Sequence, residues 1–185
     1  MMSASSPPSG PRVKVWDPGV RLFHWSLVVS IAGVWFLVDP RWLHRRIGYV
    51  VIFLIAFRLV WGVIGTRHAR WTDFIPGPVH LVRYLAAMTR GREWRTLGHN
   101  LAGAAMIVAL LTLLSGICAT GVMMGMDRYF GQAWVEHWHK KLVNGLLVLL
   151  ALHLGGVVLA SLRHGENLVA AMIHGHKSLH DPIPH

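Results

Sequence analysis

Cys118 is the single cysteine in a chain of 185 residues. One thiol excludes a disulfide framework within the chain, a cysteine-held iron–sulfur cluster and a CxxCH attachment motif. Cys118 itself reads as a small packing residue inside an apolar run. Acidic residues are scarce too, with eight Asp and Glu against eighteen Lys and Arg and a net charge of +10. So few carboxylates argue against an ion path through a membrane. The basic residues flank apolar runs and form no continuous stripe, which excludes nucleic acid as the partner. The N-terminus, MMSASSPPSGPRVKVWDPGVRLFHW, lacks a positive start, a short apolar core and a small-residue cleavage site. It reads as a retained, disordered tail, with the first apolar run as an uncleaved anchor.

What the chain has in excess is apolar length. Hydrophobic residues make up 54% of it, and four runs, about 20–38, 44–64, 99–123 and 139–161, are long enough to span a bilayer. We read an all-α, integral membrane four-helix bundle over residues 13–177, between tails at 1–12 and 178–185. Eleven Lys and Arg fall in the two tails and the middle loop, against six on the opposite side at Arg41, Arg45, Arg46, Arg128, Lys140 and Lys141. The positive-inside bias therefore places both termini and the middle loop in the cytoplasm. In the middle loop, PGPVHLVRYLAAMTRG predicts a short amphipathic helix on the inner leaflet, with Val79, Val82, Leu85 and Ala86 toward lipid. RHGENLVAAMIHGHK predicts another short surface helix. The third run has no ionisable residue in its interior. Ala102, Gly103, Ala105, Gly116 and Ala119 give it small faces for close packing, so its expected role is structural.

The fourth run carries the most informative pair. His139 and His153 lie fourteen residues apart in WHKKLVNGLLVLLALHLGGVVLASL. At about 100° per residue they share a face to within about 40°, separated by about 21 Å along the axis. Ionisable groups inside a span are costly and mark function by default. Because spans alternate in direction, His24 starts near the inside and His44 near the outside. His139 then lies near the outside and His153 deeper. Two level pairs follow, His24 with His153 and His44 with His139. Imidazoles projecting inward from facing helices at two depths suit bis-imidazole ligation of two haem irons in the bundle core. With one cysteine, both haems would be held non-covalently. The competing reading is a haem-free zinc or copper transporter built on the same histidines.

The remaining histidines sort by position. Those in the C-terminal segment, with His68 and His80 in the middle loop, read as solvated surface residues. His137 is sixteen residues from His153, about 160° around a helix, and faces away. His99 opens the third run, either as an interfacial cap or as a contributor to a haem-propionate or quinone site. Gly48, four residues after His44, leaves room for a porphyrin. Arg45-Arg46 follow His44 and Lys140-Lys141 follow His139. These basic pairs would meet haem propionates or an acidic redox partner, or else snorkel to the lipid headgroups. Arg58 shares the face of His44 near the level of His153 and needs an anion, which a propionate of the inner haem would supply.

At these residues the chain resembles the prokaryotic cytochrome b561 family, which includes the b-type cytochrome subunits of nickel–iron hydrogenases. The matching strings are Val20-Arg21-Leu22-Phe23-His24-Trp25, then His44 with Gly48, Arg58 and Trp61, then Gly98-His99-Asn100. His139 with His153, Glu166-Asn167-Leu168 and Ala171-Met172 complete the order. Leu101 departs from the family, whose Gly-His-Asn string often continues with Pro. The resemblance implies a dihaem membrane cytochrome with His24, His44, His139 and His153 as ligands. Such a protein passes electrons between quinone and a redox partner, here a periplasmic cytochrome c or another redox protein. The alternative is the membrane-anchor cytochrome of a hydrogenase or dehydrogenase complex. The chain ends without the extra helix of some hydrogenase-type members, which favours the stand-alone form at this stage.

Overall fold

A computed structural model describes residues 12–14, 17–37, 39–65, 70–71, 101–165 and 167–178. Four long helices dominate it: α1 (Pro18–Phe36), α2 (Arg41–Ile64), α3 (Leu101–Met123) and α4 (Ala133–His164). All four are long and apolar enough to cross a membrane, and the chain is a multi-pass membrane protein. The amphipathic helix expected in the middle loop, His68, His80 and His99 lie outside the described residues.

Local chemistry sets the ends. Asp17 caps α1 by accepting from the Val20 amide at 3.1 Å, and Pro18 stands in the first turn, where its missing N–H costs nothing. Gly165 closes α4 in the left-handed region at φ +62°, a conformation glycine adopts without a steric penalty. A seven-residue helix, α5 (Leu168–His174), follows where a short surface helix was expected. Its cap is Asn167, which accepts from the Ala170 amide at 2.8 Å. α4 begins at Ala133, six residues before the predicted start, so Trp134, His137 and Trp138 are helical.

One element was not foreseen. β1 (Arg12–Lys14) pairs antiparallel with β2 (His176–Ser178), Arg12 opposite Ser178 and Lys14 opposite His176. Three-residue strands carry too little periodicity to be read from sequence. The ribbon holds the two ends of the chain on one side of the bundle, as four spans require.

α1 packs on α2, α2 on α3 and α3 on α4. Phe23, Val51, Leu54, Ile55, Leu111, Leu114 and Leu146 form the shared core. Elsewhere the helices present apolar side chains outward, Phe53, Leu152 and Leu162 among them. Lipid is the solvent that makes such a surface favourable. α3 and α4 approach closely through glycine. A Cβ on Gly116 would stand 3.2 Å from the Leu142 side chain, and one on Gly145 3.5 Å from Leu113. The small faces expected of the third run are thus used against α4. Replacing Gly116 with Leu should force the pair apart and lower stability by about 1–3 kcal/mol, read as a lower thermal midpoint by circular dichroism in detergent.

Candidate functional site

The four histidines selected by depth and angle come together in twos. The His44 and His139 rings have centroids 6.5 Å apart and planes inclined at 66°. His24 on α1 and His153 on α4 lie within electrostatic range of each other. α4 therefore opposes α1 at one level and α2 at the other. It does so without packing closely on either, since its close neighbour is α3. His137, on the same helix, is exposed and makes an edge contact with Trp138, as its angle predicted.

The polar atoms in this gap are incompletely satisfied. The Nδ1 atoms of His24 and His44 are buried without a hydrogen-bond partner among the described residues. His139 differs. Its Nδ1 lies 3.0 Å from the hydroxyl of Thr120 on α3, and its Cε1 lies 3.5 Å from where a Cβ of Gly121 would stand. Gly48, one turn after His44, has nothing within 4 Å of its missing Cβ.

This donor set fits a haem better than a bare metal ion. Among the described residues, no three His, Cys, Asp or Glu gather around one point. Imidazoles in twos suit a cofactor that brings its own four equatorial nitrogens and needs only axial ligands. Imidazole–metal bonds are about 2 Å long, so rings on opposite faces of one ion have centres roughly 6 Å apart. The His44–His139 separation is of that size, with free space at Gly48 beside it.

The basic residues fall in two settings. Arg58 is 2% exposed, with its guanidinium carbon 4.2 Å above the Trp71 ring and Asp17 within electrostatic range. The anion that the sequence reading sought in a propionate is thus available within the protein. Asp17 ties three things at once, the α1 amide of Val20, the Trp61 indole at 3.1 Å and the charge of Arg58. Gly62 and Gly65 leave the space that Trp71 and Trp61 occupy. Arg45 and Lys140 are exposed, and Lys140 is paired with Glu136 at 2.6 Å. With Arg46 over Trp42 and Lys141 over Trp138, they form a basic, aromatic rim at the His44–His139 end.

The opposite end is covered. Arg21 donates to the carbonyls of Met172 and Ile173, and the Trp25 indole donates to Met172 at 3.4 Å, so α1 grips the C-terminal end of α5 beside His24. Sequence reasoning missed Thr120, Asp17 and Trp71 as neighbours of the site, since nothing in their spacing pairs them with a histidine. Asp17→Ala should lower stability by about 1–3 kcal/mol through the lost cap and the indole bond. Asp17→Asn, which keeps an acceptor, should lose less. Denaturation in mixed micelles measures both.

Residues 15–175 match the family described as prokaryotic cytochrome b561. A protein of Bradyrhizobium diazoefficiens named probable Ni/Fe-hydrogenase B-type cytochrome subunit is 22% identical over 218 residues, which cover 92% of this chain and 88% of that protein. A protein of the same name from Azotobacter vinelandii is 23% identical over 220 residues, covering 93% and 91%. No solved structure matches.

Proposed function

This chain belongs to the prokaryotic cytochrome b561 family and is a b-type cytochrome, and on that premise we propose that it carries two haems b and moves electrons across the bacterial inner membrane. The observation that supports this reading most directly is the meeting of four histidines as two pairs along α4. His44 and His139 would hold the outer haem, His24 and His153 the inner one. When bound, haem supplies reversible one-electron chemistry. The chain's own work is to hold the axial ligands, keep water away and set the local charge. Its two ligands on α4 are about 21 Å apart along the helix, so the two centres would bridge most of the hydrocarbon core.

The family resemblance implies quinone as one partner, and the basic rim bears on the other. Quinone is the donor or acceptor within the membrane, and a redox protein on the far side is the other. The basic rim of Arg45, Arg46, Lys140 and Lys141 suits an acidic patch on that protein. The exposure of Arg45 and Lys140 favours this role over direct contact with propionates. Termini in the cytoplasm, as the positive-inside bias predicts, turn this rim to the periplasm. A second reading has support of its own: the named hydrogenase subunits align over 88% and 91% of their length. On it, the rim or the covered end would seat a hydrogenase or another large redox enzyme.

A reduced-minus-oxidised absorption spectrum with haem quantified per chain tests the proposal. Two b haems per chain are expected, with His24→Ala and His139→Ala each losing about one. Absence of a Soret band, with haem supplied during expression, would overturn it in favour of a metal transporter. Arg58→Ala should change the inner haem's potential or occupancy. If neither moves, Arg58 serves the Asp17–Trp71 cluster alone. Co-purification with a large redox subunit would select the second reading.

A further inference from the structure

We propose that Thr120 is the positioning residue for His139, fixing its tautomer so that Nε2 presents a lone pair to the outer haem. The inference rests on the two-haem reading above and assigns the third helix a part in it. Thr120 Oγ1 lies 2.9 Å from the Gly116 carbonyl, 2.9 Å from the Ile117 carbonyl and 3.0 Å from His139 Nδ1. A threonine hydroxyl has one hydrogen to give. Both carbonyls only accept, so that hydrogen goes to the helix backbone and the oxygen turns a lone pair to the imidazole. Nδ1 must then carry the ring proton. Nε2 is left as the atom free to ligate.

Two further contacts define the ring's place. Gly121 lies beside Cε1, 3.5 Å from where its Cβ would stand, and His44 faces the ring from α2. Among the described residues, His24 and His44 have no comparable support at Nδ1, so of the outer pair only His139 is backed there by a hydroxyl. A hydrogen bond accepted from the far nitrogen raises the basicity of an imidazole ligand. A more basic ligand stabilises ferric over ferrous iron, so Thr120 lowers the outer haem's potential.

The test is a potentiometric titration, with electron paramagnetic resonance of the ferric haems, on the full-length protein and on Thr120→Val and Thr120→Ser. Valine keeps the shape and removes the hydroxyl. The haem that His139→Ala eliminates should become easier to reduce in Thr120→Val. Its ferrous-to-ferric ratio at fixed potential should rise at least threefold, about 28 mV at the one-electron slope of 59 mV per decade. The other haem should not move, and serine should restore the wild-type value. Loss of the outer haem in the valine variant with retention in the serine variant would also support the assignment. Where the valine chain does not accumulate, Thr120→Ala gives the same readout. An unchanged potential and resonance spectrum, with both haems present, would overturn the role of Thr120 alone. Equal loss in the valine and serine variants would overturn it too, as a packing effect. A wild-type protein with no haem that depends on His139 would overturn both this inference and the two-haem reading.

Discussion

A neutral imidazole in an apolar interior has one donor and one acceptor, and neither can be left to hydrocarbon without cost. The bundle must therefore give each buried histidine partners on both nitrogens. His139 has Thr120 on one side. His24 and His44 have buried nitrogens without partners among the described residues. One such atom sits at each level, on His24 opposite His153 and on His44 opposite His139. Around them α3 is tight against α4 through Gly116 and Gly145, while α4 stands off from α1 and α2.

The two levels are built differently, and the difference is chemical. At the His24–His153 end the chain closes over itself. Arg21 and Trp25 hold α5, the β1–β2 ribbon joins the termini, and Asp17 links the α1 cap to Trp61 and Arg58 on α2. A buried guanidinium is affordable there because a carboxylate and an aromatic face share its charge. At the His44–His139 end the described residues give no such cover. Cations and indoles lie on the outside, in the arrangement expected where a helix bundle meets headgroups or a partner protein. One end is thus covered by the chain itself, and the other presents exposed cations and indoles.

Much of this was legible from the sequence because membrane burial makes few residues carry much meaning. Four apolar runs gave the helices, and two periodic facts, an even face and alternating direction, sorted thirteen histidines to four. The structure brings those four together in the predicted twos. What sequence could not supply depends on contacts between helices. Asp17 acts on the Arg58 charge from forty-one residues away, at the cap of another helix, a neighbour that spacing along the chain does not reveal. Lys140 was placed beside a ligand by adjacency, whereas neighbours on a helix point about 100° apart, and its side chain runs outward to Glu136.

The third helix shows the limit most sharply. By composition it is a spacer, since it has no ionisable residue in its interior and its small residues serve packing. Yet threonine is neutral to every pattern used to find sites. Its hydroxyl is absorbed by the helix's own carbonyls, so it costs little in an apolar run. That same bond fixes which lone pair is left over, and the close approach permitted by Gly116 brings His139 to it. A residue that looks self-satisfied in one dimension thus becomes, in three, the hydroxyl that meets His139 on the neighbouring helix.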